Sequence, residues 1–178
     1  MQRLKTAVIV AAGIVVVILG SSWLLPSHWQ VRRSIVVAAP PGALLPLVAN
    51  LRTGWPQWSA FDAEDPEIQY SYSGPEEGPG AARSWTSSTL GNGSQKIVRA
   101  DARGVEFELR MANGFAIAGI VSFDPAPGGT RVTWTDSGEV GHNPAHRFLA
   151  AFMDRMMGAT FEKSLGALKQ KAEAAARR

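Results

Sequence analysis

The chain has 178 residues, 46% of them hydrophobic and 19% charged, which suits one globular domain with an appendage and excludes a disordered chain. It contains no cysteine, so a disulfide framework, a thiolate nucleophile and a Cys-type zinc site are all excluded. Lys and Arg number 18 against 15 Asp and Glu, but Arg3 and Lys5 precede an apolar run and every acidic residue follows it. The remainder is close to neutral and lacks the basic footprint of a nucleic-acid binder.

Residues 7–25 (AVIVAAGIVVVILGSSWLL) carry no charge. At a rise of about 1.5 Å per residue they just span a hydrocarbon core of about 30 Å, so they predict one membrane-crossing helix. Arg3 and Lys5 stand before it, Trp23 and Trp29 fall near its far end, and Pro26 stops it. This reading makes residues 4–25 the membrane contact, residues 1–28 an anchor and residues 29–178 the domain. The alternative is a cleaved signal peptide, with small residues at Gly20, Ser21 and Ser22. Both place the domain on the extracytoplasmic side of the inner (plasma) membrane, the first as a single-pass protein. Arg32 and Arg33 pull against that orientation.

Residues 29–37 (WQVRRSIVV) read as a strand, and residues 42–51 (GALLPLVANL) as a short helix limited by Pro46. A loop carrying Trp55, Trp58 and Phe61 follows, then an acidic stretch over 62–67 that reads as a solvated loop. Six strands come next, over 68–72, 82–88, 95–100, 104–111, 116–124 and 130–139. Turn residues bound them, including Gly91-Asn92-Gly93 and Asn113-Gly114. In the fourth of these, Val105, Phe107, Leu109 and Met111 alternate with Glu106, Glu108 and Arg110, giving one apolar and one wet face. The short connections imply a meander.

Asn143 and Pro144 are a helix cap and a first helical residue, opening a long amphipathic segment over 143–175. Its apolar stripe turns partway. Phe148, Leu149, Phe152 and Met156 mark the front half, and Met157, Phe161, Leu165 and Leu168 the back half, with Gly158 between them. The front half is expected to face a cavity and the back half the sheet. Plain core packing with a slight bend satisfies the same pattern.

The order of elements, with Trp55-Pro56-Gln57-Trp58, the segment 138–144 (GEVGHNP), the segment 153–158 (MDRMMG), Phe161-Glu162 and Leu165 to Lys169, resembles the helix-grip fold of the START-like (SRPBCC) superfamily. The similarity covers about 29–171 and lies with the bacterial, membrane-anchored polyketide-cyclase-like branch. It implies an α+β fold in which a curved antiparallel sheet of about seven strands wraps a long C-terminal helix, here preceded by a transmembrane helix. It also implies an apolar cavity between sheet and helix, with a ligand-binding or cyclase-type role.

The candidate lining of that cavity is Trp55, Trp58, Phe61, Trp85, Phe107, Phe115, Trp134, Phe152 and Met156, with Arg83 and Asp136 as inward polar residues by strand parity. Complete filling by these side chains is the competing outcome. An Arg83–Asp136 pair with a perturbed carboxylate would favour an enzyme of cyclase or dehydrase type. A wholly apolar lining would favour carriage of a hydrophobic small molecule. A filled interior with an exposed apolar patch would favour a protein-interaction domain. His142 and His146 read as solvent-facing residues of a capping region, since no third metal ligand accompanies them. No cofactor and no particular protein partner is indicated.

Overall fold

The computed structural model describes Gly13 and residues 20–177. A 3₁₀ turn at Ser22–Leu24 leads into β1 (His28–Val37). After it come α1 (Pro41–Ala49), a second 3₁₀ turn at Trp55–Gln57, and α2 (Ala60–Glu64). The strands β2 (Gln69–Ser73), β3 (Ala82–Thr86), β4 (Gly93–Asp101), β5 (Gly104–Met111), β6 (Ala116–Ala126) and β7 (Gly129–Glu139) follow, and α3 (Pro144–Ala176) ends the fold. All strands pair antiparallel, in the order β1-β7-β6-β5-β4-β3-β2. Strands two to seven form the expected meander, and β1 returns to close its far side against β7. The expected seven-stranded α+β helix grip is present. The predicted anchor lies mostly outside the described residues, and among the described ones no helix is long and apolar enough to cross a membrane.

The sheet has a wet and a dry face, as the period-two pattern requires. Val31, Ile97, Val105, Phe107, Val121, Phe123, Val132 and Trp134 point inward and are buried. Glu106 and Glu108 lie on the outer face, paired with Arg99 at 2.7 Å and Arg110 at 3.4 Å. A bulge between Ile97 and Arg99 interrupts the β4–β5 ladder. Bulges increase local twist, which helps the sheet curl around the helix.

The back half of α3 fills the concave face: Phe161, Leu165, Leu168 and Ala172 are buried. The front half behaves differently from expectation. Phe152 and Met156 are 56% and 61% exposed, whereas Met153 and Met157 are half-buried and turned inward. The boundary between the faces therefore sits one residue further along than the apolar stripe suggested. Asn143 caps the helix by accepting from the backbone N–H of Ala145 at 3.0 Å. Gly158 sits where a Cβ would come within 2.0 Å of an Arg33 nitrogen. That gap admits the Arg33 guanidinium, which holds Asp154 at 2.7 Å and Glu162 at 2.8 Å and clamps the helix to β1.

A second difference concerns residues 59–65. They form a capped helix rather than a loop: the Ser59 hydroxyl accepts from the N–H of Asp62, and Ser164 of α3 accepts from the N–H of Ala60 at 2.9 Å. Asp62 and Asp65 are consequently buried instead of solvated.

Candidate functional site

Packing is complete beneath the back half of α3 and incomplete beneath the front half. Trp134 stacks on Phe161 at 4.1 Å between ring centres, and Trp55 sets its edge against Trp134 at 5.8 Å and Phe107 at 5.1 Å. These rings form a floor. Above it a cavity of about 290 Å³ remains between the sheet and the first turns of α3. Its wall is mainly apolar, with Trp29, Trp55, Phe61, Tyr70, Trp85, Phe107, Phe115 and Trp134 as the aromatic part. Leu149, Met153 and Met157, spaced four apart, supply the helix side.

Of the residues singled out from sequence, Trp55, Phe61, Arg83, Trp85, Phe107, Phe115, Trp134 and Asp136 border this cavity. Three do not. Trp58 is buried behind the wall, where it packs on Trp55 and donates its indole N–H to the Leu47 carbonyl at 2.8 Å. Phe152 and Met156 face outward, for the helical-phase reason given above. His146 is also not simply solvent-facing, because its ring packs on Phe115 at 4.8 Å.

The polar part of the wall departs most from expectation. Arg83 and Asp136 both point inward, but they do not pair. Arg83 is on β3 and Asp136 on β7, with β4, β5 and β6 between them, a path of four strand spacings of about 4.8 Å. Arg83 instead donates Nη1 to both carboxylate oxygens of Asp62 at 3.1 Å, and Nε to Gln95 Oε1 at 2.9 Å. The Tyr70 hydroxyl donates to the same Asp62 carboxylate. The guanidinium lies over the Tyr70 ring at 4.9 Å, a cation–π contact. Burial, then the bond to Asp62, push the Tyr70 hydroxyl well above its ordinary range. This cluster closes one end of the cavity with its charges mutually satisfied.

Asp136 is placed differently. It is 4% exposed and accepts the Trp134 indole N–H at 2.8 Å. Burial pushes its carboxyl up to about 7, and the Trp134 bond opposes this only in part. The opposite Gly119, its cross-strand partner, leaves room beside it for the Phe107 ring, which a Cβ at Gly119 would meet at 2.1 Å. The result is a carboxyl in an aromatic wall that titrates near neutrality.

Asp62, Tyr70, Gln95, Met153 and Met157 also border the cavity, and none of them stands out as a site residue in the sequence. For Asp62 a signal existed, because Ser59 three residues before an acidic residue is a helix-start pattern. For Gln95 the signal was its shared parity with the buried Ile97.

The sequence matches the family described as "Polyketide cyclase / dehydrase and lipid transport" over residues 28–173. None of the curated proteins matches the chain. Solved structures share its fold at low identity. A protein of Thermus thermophilus is 21% identical with a TM-score of 0.52, over 82% of this chain and 98% of that one. The di-domain ARO/CYC StfQ of the steffimycin biosynthetic pathway is 11% identical with a TM-score of 0.60, over 85% of this chain and 52% of that one. A protein of Chromobacterium violaceum is 11% identical with a TM-score of 0.57, over 81% and 96%. The fold, the cavity between sheet and helix, and the match from β1 through α3 agree: the chain belongs to the polyketide cyclase/dehydrase and lipid transport family, within the SRPBCC superfamily.

Proposed function

We propose that the domain binds a hydrophobic small molecule, a lipid or a polyketide-like compound, in the cavity between the sheet and α3. The observation that carries this reading is the cavity itself, about 290 Å³ of space with an aromatic and aliphatic wall. An interior completely filled by side chains would have left no such space. The apolar segment over 7–25 holds the domain at the membrane in this proposal, keeping the cavity near a membrane-soluble ligand. Trp23 and Leu24, 69% and 89% exposed at the end of that segment, support it as interfacial residues.

A second reading has its own support. Asp136 carries a carboxyl that is partly protonated near neutrality at the edge of an apolar cavity. Such a group can take a proton from a bound molecule and return it, which is what a cyclase or dehydrase type of reaction asks of its general acid–base.

Native mass spectrometry of the chain purified gently from its host, with organic extraction of what accompanies it, tests both. A co-purifying lipid or polyketide-like species supports binding. Its conversion on incubation to a chemically altered product, seen as loss of water for a dehydration or as a changed chromatographic retention at unchanged mass for a cyclisation, moves the assignment to an enzyme. A clean apo mass with no uptake from a lipid extract overturns ligand binding.

A further inference from the structure

Gln95 brings to the cavity wall a buried amide whose donor has no partner in the protein. Its side chain is 1% exposed and borders the cavity. Its Oε1 accepts from Arg83 Nε at 2.9 Å. A guanidinium only donates, so the amide atom facing it must be the oxygen, and the orientation of the amide is fixed by chemistry. Nε2, with two hydrogens, is therefore turned away from Arg83. Among the described residues it is the buried side-chain polar atom for which no protein group accepts. A buried donor with nothing to donate to is unfavourable, so the site is completed by an acceptor from outside the protein.

The surroundings say what kind of acceptor. Arg83 spends its charge on Asp62, and Tyr70 spends its proton there too. Among the described residues lining this end of the cavity, no other cation stands ready to balance an anionic head, and the carboxyl on the far wall, Asp136, would repel one when ionised. The acceptor is therefore a neutral oxygen. Along the same register row, Gln95 pairs with Leu109 and Leu109 with Ile117, so the surface next to the amide is aliphatic. We propose that this cavity takes a neutral, mostly apolar molecule bearing a carbonyl-type oxygen, with that oxygen seated on Gln95 Nε2 and the apolar body lying over Leu109 and Ile117. This rests on the ligand-binding reading of the cavity.

Fluorene and fluorenone share one tricyclic skeleton and differ by a carbonyl oxygen, so they separate the two ideas. Each is titrated onto the 178-residue chain, following tryptophan fluorescence and the side-chain amide NMR signal of Gln95. Fluorenone is expected to bind about tenfold more tightly than fluorene, as one added hydrogen bond to an orphaned donor allows. The Gln95 amide signal moves with fluorenone and not with fluorene. Gln95→Met is expected to bring the two within about twofold by weakening fluorenone alone. Where that variant does not fold, the wild-type pair and the amide signal decide the matter. Equal binding of the two compounds with an unmoved amide signal overturns the inference and leaves the cavity reading standing. Binding of neither overturns both.

Discussion

Trp134 donates its indole N–H to Asp136, two residues further along the same strand and on the same inward face, at 2.8 Å. The tryptophan thus has two roles, since its ring also stacks on Phe161 to form the cavity floor. One hydrogen bond does not offset the loss of solvation that holds the carboxyl proton. The consequence is a pH dependence with a definite sign. The folded state releases this proton at about 7, the unfolded chain near the ordinary 3.8. Between those values the folded state binds more protons, so this group lowers stability as pH rises through that window, then levels off. The effect is on the order of a few kcal/mol. Asp136→Asn keeps an oxygen for Trp134 and has no proton to lose. Its thermal midpoint is expected to fall less than wild type's between about pH 5 and pH 8, by about 5 °C or more. Parallel midpoint-against-pH curves for the two proteins would sink this account.

The Arg83–Asp62 pair makes a different prediction. Both side chains are under a tenth exposed. Arg83→Met leaves the Asp62 carboxylate buried with only the Tyr70 hydroxyl, and is expected to cost about 3–5 kcal/mol. Adding Asp62→Asn removes the stranded charge and should recover part of that loss. Urea unfolding of both single variants and the double variant closes the cycle. Strictly additive losses would mean that the pair contributes no coupling.

Legibility from sequence followed the periodicity of each element. The strands of the meander were readable because Val105, Phe107 and Leu109 alternate cleanly with charged residues, and the last helix because Asn143-Pro144 marks its start. The cavity's aromatic wall was likewise readable from parity on β3, β5 and β7. What parity cannot give is which inward residues meet across the sheet. Arg83 and Asp136 share an inward direction, yet sheet order separates them and α2 brings Asp62 to Arg83 instead. On α3 a one-residue error in phase exchanged Phe152 for Met153, because both faces near the front of the helix carry apolar side chains.

Gly119 gives a test of the cavity by subtraction. Its absent side chain lets the Phe107 ring lie across β6, with the ring 2.1 Å from where a Cβ would stand. Phe107 is 2% exposed and has no free direction except toward the cavity. Gly119→Ala is therefore expected to push the ring inward, costing about 1–3 kcal/mol by overpacking. It should also weaken fluorenone binding more than Ala substitutions on the outer face of β6 do. Calorimetric unfolding gives the first quantity and a fluorescence titration the second. An unchanged affinity alongside reduced stability would show that the ring moves elsewhere.

The adjacent pair Phe152 and Met153 separates the two faces of α3 most directly. Phe152 is 56% exposed, so Phe152→Ser should change stability by no more than about 0.5 kcal/mol and leave ligand affinity in the cavity unaltered. Met153 is half-buried against the cavity. Met153→Ala should cost about 1–2 kcal/mol, below the range for a fully buried methionine, because part of the side chain already meets solvent. It also removes one of the contacts that Leu149, Met153 and Met157 make along the cavity, so fluorenone affinity should fall with it. The two substitutions sit one residue apart on one helix, and each changes helix propensity by no more than a few tenths of a kcal/mol, which leaves facing as the main difference between them. A larger loss of affinity from Phe152→Ser than from Met153→Ala would put the ligand on the outer face of α3 and not between helix and sheet.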